Sequence, residues 1–129
     1  MGLIEGNVYI DDRGIVRFVN DFNMSAIVRM YCIEPKMGVV RAWQGHKVER
    51  KWFYAAKGRF LVKTVEMDSL NKEVFELTSL ESKILEIGGG YFNGFEALEE
   101  GSVLMVFSDF SLEESKNDDF RETLENINW

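Results

Sequence analysis

Short β-type runs, separated by turn residues, follow one another along most of the chain. The runs span residues 15–19, 26–33, 38–43, 51–56, 59–66, 73–77, 83–87, 91–97 and 102–107. Gly, Asn and Asp mark the breaks, as in the segment from Asp11 to Gly14, and no long amphipathic helix pattern interrupts the series. About nine or ten short strands at this spacing predict an all-β sandwich or barrel of the jelly-roll type.

The C-terminal tail, Ser108 to Trp129, has a different pattern because it is rich in acidic residues. Phe120, Leu124 and Ile127 recur at intervals of four and three, which predicts a partly helical tail that packs onto the barrel. No repeat, linker or low-complexity segment divides the chain. We therefore expect a single domain over residues 1–129.

Composition narrows the classes of partner. The net charge of −7 over 129 residues argues against nucleic acid, although a local group of arginines can still bind an anionic small molecule. The single cysteine, Cys32, excludes an intrachain disulfide, favours a cytoplasmic location and is predicted to be buried in a strand. The N-terminal residues do not resemble a secretory signal, and no apolar run is long enough to span a membrane, so we expect no membrane partner.

The stretch from Gly38 to Gly58 carries the most informative spacing in the chain. Gln44, His46 and Lys51 lie between the two glycines. The frame resembles the first signature of cupin barrels, in which glycine is followed by His-x-His, a glutamate and a second glycine. The resemblance implies a cupin fold, also called a double-stranded β-helix.

The same comparison predicts that the barrel binds no metal. Gln44 and Lys51 replace the first histidine and the glutamate of the signature, and Asn93, after Gly88 and Gly90, replaces the histidine of the second signature. A charged ammonium cannot bind a metal ion, and neutral amides are poor ligands for transition metals. We therefore expect neither a metal nor another cofactor.

His46 is the only histidine and the best candidate for acid–base chemistry. Strand alternation places it on one face with Gln44 and Ala42, and its ordinary pKa near ~6.5 suits proton transfer at neutral pH. The alternative is a histidine that only packs or donates a hydrogen bond. With Arg41 and Lys51 also pointing inward, the pocket would be cationic and suited to a phosphorylated or carboxylated ligand.

Several short segments resemble the nucleotide-sugar branch of cupins, namely the sugar 3,4-ketoisomerases and the related dTDP-4-dehydrorhamnose 3,5-epimerases. The segments are Asp12 to Gly14, Arg29 to Ile33, Val40 to Lys47, Val103 to Ser108 and Asp118 to Arg121. The resemblance implies metal-free proton transfer on a dTDP-4-keto-6-deoxyhexose and assembly as a homodimer.

The resemblance also assigns roles to residues. His46 is implied to be the catalytic base that moves a proton between adjacent sugar carbons. The residues expected to bind the nucleotide sugar are Arg13, Arg29, Tyr31, Arg41, Gln44, Lys51, Tyr91 and Asn93. Tyr91 is included because it adjoins the flexible glycines at 88–90.

Three departures from the family pattern keep a second hypothesis open. Gln44 and Asn93 replace histidines, and Met105 stands on the strand that carries the catalytic tyrosine of the 3,5-epimerases. The alternative is a catalytically inactive cupin that binds a sugar nucleotide or a protein partner.

Overall fold

The computed structural model describes residues 2–129, and almost all of its regular structure is β-strand. The elements are β1 (Gly2–Glu5), β2 (Asn7–Asp11), β3 (Gly14–Phe18), β4 (Arg29–Ile33), β5 (Val40–His46), β6 (Lys51–Lys57), β7 (Arg59–Glu66), β8 (Lys72–Thr78), β9 (Lys83–Ile87), β10 (Tyr91–Ala97), β11 (Val103–Ser108), α1 (Leu112–Lys116) and β12 (Phe120–Arg121). The all-β prediction is confirmed.

The strands form two five-stranded antiparallel sheets and a separate hairpin. One sheet has the order β1-β9-β6-β11-β4 and the other the order β12-β5-β10-β7-β8, while β2 pairs only with β3. Apart from the β7–β8 hairpin, neighbours in each sheet are not consecutive in sequence, as expected for a jelly roll.

The main core lies between the inner faces of the two sheets. Alternate side chains of β7 are fully buried there, as Phe60 and Val62 show at 0% exposure. Phe95 contacts Phe53 and Phe60 edge-on, with ring centroids 6.3 Å apart in both pairs. This aromatic cluster stabilises the end of the barrel next to the cavity described below.

The tail covers the outer face of the second sheet and forms a smaller core. Trp43 donates its indole N–H to the carbonyl oxygen of Ile127 at 2.7 Å, and its ring packs against Trp129. The backbones of Trp43 and Glu122 exchange two hydrogen bonds. The predicted packing of the tail onto the barrel is thus observed.

The tail is partly helical, as predicted, but the helix lies earlier than the apolar spacing indicated. It spans Leu112–Lys116 and begins at a capping box formed by Ser111 and Glu114. Phe120 and Arg121 instead form β12, because their backbone pairs with the edge of β5. Hydrogen bonding to an open sheet edge outweighs the local helical pattern there.

The prediction that Cys32 is buried is wrong. The residue lies on β4, the edge strand of its sheet, and its side chain is exposed. Met30, two residues earlier, is also 51% exposed, so this face of β4 has no covering layer within residues 2–129. A run of apolar residues cannot distinguish an edge strand from a central one.

No helix within residues 2–129 is both long enough and apolar enough to cross a membrane.

Gly88 and Gly89, which follow β9, allow a test of how closely their backbone packs against the loop after β5. A Cβ atom at Gly89 would lie 2.4 Å from the carbonyl oxygen of Lys47, whereas one at Gly88 would meet nothing within 4 Å. We expect Gly89→Ala to lower the free energy of unfolding by about 1–3 kcal/mol through overpacking. The matched control, Gly88→Ala, should change it by less than about 0.5 kcal/mol. Equal effects in chemical denaturation would contradict this packing.

Candidate active site

A cavity of about 730 Å³ opens between the edge strand β4 of one sheet and β5 of the other. This volume lies within the range of small-molecule sites. Its polar and aromatic lining includes Tyr31, Arg41, Gln44, Asn93, Phe95 and Arg121, and the carboxylates Glu34 and Glu122 also line it.

A bulge in the pairing of β5 with β10 determines which side chains reach this cavity. Gln44 lies opposite Asn93 and Arg41 opposite Phe95, so three steps on β5 match two steps on β10. The extra residue brings Arg41 to the cavity face although it is three positions from Gln44. It also overturns one expectation, because Ala42 packs with the outer cluster rather than sharing a face with His46.

His46 lies two residues beyond Gln44 on β5 and is opposite Tyr91, whereas Gln44 is opposite Asn93. The His46 side chain is buried, with the residue 3% exposed, and its Nδ1 lies 2.5 Å from the carbonyl oxygen of Asp118. Because a carbonyl can only accept, Nδ1 carries the proton and donates it. Nε2 is then an unprotonated nitrogen, and it has no partner within residues 2–129.

Asp118 also holds the loop that follows His46. Its carboxylate accepts hydrogen bonds from the backbone N–H groups of Lys47, Val48 and Glu49 at 2.8, 2.9 and 2.8 Å. Burial alone would raise the pKa of Asp118, but these three hydrogen bonds together bring the pKa below its ordinary value. One residue therefore fixes both the loop and the imidazole.

Glu49 is a second carboxylate beside His46, and it is almost fully buried at 1% exposure. Its oxygens accept from the hydroxyls of Ser108 and Ser115, each at 2.6 Å, and from the guanidinium of Arg29 at 3.2 Å. Its Oε1 lies 3.4 Å from His46 Nδ1. A buried carboxylate requires partners of this kind.

The electrostatic environment keeps His46 neutral at pH 7. Burial lowers the pKa of His46, and the nearby ammonium of Lys51 lowers it further. The hydrogen bond to the Asp118 carbonyl and the charges of Glu49 and Asp118 oppose this effect without outweighing it. A neutral imidazole with a free Nε2 can accept a proton.

Lys51 lies just behind the cavity wall. It is 4% exposed, and its Nζ donates to the hydroxyl of Tyr31 at 3.0 Å and to Oε1 of Gln44 at 3.5 Å. No carboxylate in residues 2–129 forms an ion pair with it. Tyr31 and Gln44 therefore face the cavity with a buried positive charge behind them.

Two further cations lie at the cavity mouth. The Arg41 guanidinium is 5.8 Å from the ring centroid of Phe95, and Arg41 belongs to no ion pair among the described residues. Arg121 pairs with Asp119 at 2.9 Å, which lowers the pKa of that carboxyl group. Arg41 is thus available to bind an anion.

The structure brings together most of the residues predicted from the sequence. Tyr31, Arg41, Gln44 and Asn93 line the cavity, and Lys51 contacts two of them.

Other predicted site residues lie elsewhere. The Arg13 side chain is 82% exposed at the tip of the β2–β3 hairpin and pairs with Asp11, away from the cavity. Arg29 is engaged with buried Glu49 and the Phe110 carbonyl oxygen. Tyr91 donates to Glu66 at 3.5 Å and does not line the cavity.

Sequence reasoning missed the residues that hold His46. Asp118 belongs to a segment singled out only by its resemblance, and no motif marked its structural role. Glu49 follows His46 by three positions in a charged loop, a pattern typical of solvent-exposed residues. Only the fold reveals that this loop turns inward beneath the tail.

Scans of protein-family models and of curated proteins return no match to this chain. Among solved structures, the dTDP-4-dehydrorhamnose 3,5-epimerase from Sulfolobus tokodaii matches with a TM-score of 0.81 and 24% identity, over 98% of this chain and 79% of that one. The sugar 3,4-ketoisomerase QdtA from Thermoanaerobacterium thermosaccharolyticum, in complex with TDP, matches with a TM-score of 0.76 and 22% identity, over 97% and 90%.

The rmlC epimerase from Mycobacterium tuberculosis matches with a TM-score of 0.77 and 16% identity, over 92% of this chain and 66% of that one. This chain therefore spans about two thirds of that epimerase's length. The fold is the cupin barrel of these nucleotide-sugar epimerases and isomerases, and the predicted fold class is confirmed. The group named from the motifs is the one that the structural matches return.

No group of three or more His, Cys, Asp or Glu side chains within residues 2–129 is arranged to hold a metal ion. The expectation that the barrel binds no metal rests on the residue types at the signature positions and stays a prediction.

The pKa of His46 predicts how stability depends on pH. The pKa is lowered in the folded chain but near ~6.5 when unfolded, so below that pH the unfolded state binds more protons. The free energy of unfolding should fall between about pH 7 and pH 5, by at most about 1.4 kcal/mol per pH unit. The lowered pKa values of Asp11, Asp118 and Asp119 affect the free energy of unfolding only below about pH 5, where these carboxyl groups begin to bind protons.

Urea denaturation at several pH values measures this slope. Since His46 is the only histidine, His46→Asn should flatten the curve between pH 7 and pH 5. An unchanged slope in the variant would show that another group causes the dependence.

Proposed function

We propose that this chain is a nucleotide-sugar isomerase or epimerase that transfers a proton on a dTDP-4-keto-6-deoxyhexose without a metal, with His46 as the base. One observation carries the proposal: the only imidazole of the chain is buried, its Nδ1 is held by the Asp118 carbonyl, and its Nε2 has no partner in residues 2–129. The structural likeness to dTDP-sugar 3,5-epimerases and a 3,4-ketoisomerase supports the same reaction class.

The chemistry needs one base and one donor for a developing oxyanion. Nε2 of His46 takes a proton from the carbon next to the ketone, and the C–H electron pair moves to form an enediolate. Lys51, behind Tyr31 and Gln44, can stabilise the negative oxygen of this intermediate. Protonation of the same carbon on its other face would invert that centre, and this step requires a proton donor other than His46, such as a water molecule. Return of the proton to the neighbouring carbon, with a hydroxyl proton shift, moves the ketone.

The cations at the mouth support binding of the diphosphate. Arg41 has no ion-pair partner among residues 2–129, and Arg121 lies on the adjacent strand β12. Guanidinium groups bind phosphate oxygens through two hydrogen bonds at once. A nucleotide sugar whose diphosphate is bound by Arg41 and Arg121 would direct its sugar past Gln44 and Asn93 toward His46.

A second candidate is a cupin that binds a nucleotide sugar without turnover. It is favoured by one observation, namely that His46 lies behind the row of Gln44 and Asn93 and is not part of the cavity wall. Under this alternative the imidazole has only a structural role, and the cavity keeps its affinity for dTDP.

Binding and turnover of His46→Asn separate these candidates. We expect dTDP to raise the melting temperature of the wild type and of the variant alike, because occupancy alone sets the stabilisation. Turnover of dTDP-4-keto-6-deoxyglucose, followed by NMR, should fall by about 100-fold or more in the variant. Wild-type chain that binds dTDP but shows no turnover would support the binding protein instead.

The role of Arg41 is tested by Arg41→Gln. We expect dTDP binding, measured by calorimetry, to weaken by about 10-fold or more, since a hydrogen bond to a charged group contributes about 1.5–3 kcal/mol. The matched control is Arg59→Gln, which removes a half-exposed ion pair with Glu76 outside the cavity. Equal affinities in Arg41→Gln and the control would contradict this placement of the diphosphate.

The chain also presents a surface that a second copy would cover. Tyr9, Ile10, Ile15 and Val16 on the β2–β3 hairpin are 57, 68, 52 and 58% exposed, and the hairpin pairs with neither large sheet. Tyr9 lies opposite Val16 and Ile10 opposite Ile15, so both faces of the hairpin are apolar. An isolated two-stranded hairpin has little stability of its own. A homodimer in the cytoplasm is the assembly and location that we propose.

Light scattering after size-exclusion chromatography tests the assembly. We expect twice the mass of one chain for the wild type, and the mass of one chain for Ile10→Asp. The control is Leu80→Asp in the turn after β8, where the side chain is 78% exposed. A monomeric wild type would reject the homodimer.

A further inference from the structure

Glu49 occupies an unusual position for a glutamate in a loop between two strands. Its side chain is fully buried, and it receives the hydroxyls of Ser108 and Ser115 and the guanidinium of Arg29. The fourth neighbour is His46, whose Nδ1 lies 3.4 Å from Oε1. A glutamate is almost never fully buried unless its carboxylate is paired. The four neighbours of Glu49 therefore raise the question of what this buried carboxylate does.

We propose that Glu49 acts through His46 by stabilising the imidazolium that forms during proton transfer, while the Asp118 carbonyl holds the ring. The inference rests on the proposed function of His46. When Nε2 accepts the substrate proton, the ring gains one positive charge and keeps its Nδ1–H bond to the Asp118 carbonyl. The carboxylate beside the ring then faces a full opposite charge until the proton returns to the substrate.

The other charged groups near His46 cannot fill this role. The carboxylate of Asp118 accepts three backbone N–H groups, and that of Asp119 is bound to Arg121 and Gln44. Lys51 has the wrong sign and opposes an imidazolium. Within residues 2–129, Glu49 is therefore the only residue whose carboxylate oxygen lies within 4 Å of a ring nitrogen of His46.

The partners of Glu49 set how strongly it acts on the ring. Ser115 donates to Oε1, the oxygen nearest the ring, whereas Ser108 and Arg29 donate to Oε2. Arg29 also adds a positive charge that offsets part of the carboxylate's effect. Removing Glu49 and removing Arg29 should consequently shift the titration of His46 in opposite directions, which loss of packing alone would not produce.

The single histidine makes this measurable by ¹⁵N NMR titration of labelled full-length chain without substrate. In Glu49→Gln we expect His46 to become protonated only at lower pH than in the wild type. In Arg29→Gln we expect protonation at higher pH. The control is Glu76→Gln, an exposed partner of Arg59, which should leave the titration unchanged.

Ser115→Ala keeps the test valid if Glu49→Gln does not fold. Loss of a donor to Oε1 should strengthen the carboxylate's effect and move protonation of His46 to higher pH. Unshifted titration in Arg29→Gln and Ser115→Ala, or in a folded Glu49→Gln, would overturn the proposal.

Kinetics then distinguish this inference from the proposed function. We expect Glu49→Gln to lower kcat for dTDP-4-keto-6-deoxyglucose by about 10-fold or more with KM unchanged, a part of the 10²–10⁴-fold that a general base contributes. If turnover in Glu49→Gln equals that of the wild type, the role of Glu49 is overturned, but the proposed function of His46 is not. Shifted titrations without wild-type turnover would reject the proposed function and leave the pairing of the two side chains intact.

Discussion

The candidate site depends on the way in which Asp118 holds the loop after β5. Its carboxylate binds three consecutive backbone N–H groups, while its carbonyl oxygen accepts the Nδ1 proton of His46. Without these bonds, neither the inward turn of Glu49 nor the orientation of the imidazole would be defined. The tail is therefore part of the site, and its second core at Trp43 and Trp129 anchors it to the barrel.

The barrel provides two environments at different depths. At the mouth, Arg41 and Arg121 lie within reach of solvent and of anionic ligands. Deeper inside, Lys51 and His46 are buried close together, and the lysine charge helps to lower the pKa of the histidine. An anionic end of a ligand thus fits the mouth, and under the proposed function its sugar would lie against the row of Gln44 and Asn93, in front of His46. This division agrees with a nucleotide diphosphate joined to a keto-sugar.

The fold could be predicted from the sequence because strand periodicity and turn residues act locally, and the runs at 59–66, 83–87 and 91–97 match observed strands. The site could be predicted only in part. Gln44 and Asn93 follow from the spacing of the cupin signatures and Tyr31 from the resemblance of its strand, but Arg41 reaches the cavity through a bulge. The burial of Glu49 depends on contacts with residues 59 and 66 positions away. No local pattern encodes such contacts.

The protonation of the one histidine is the most direct test of a neutral, oriented imidazole at the centre of this barrel. A ¹H–¹⁵N NMR spectrum at pH 7, recorded through the long-range couplings of the ring, reports each nitrogen separately. We predict a protonated Nδ1 and an unprotonated Nε2 that shifts when a dTDP-linked keto-sugar is added. A proton on Nε2 at pH 7, in either the imidazolium or the other neutral form, would contradict the account.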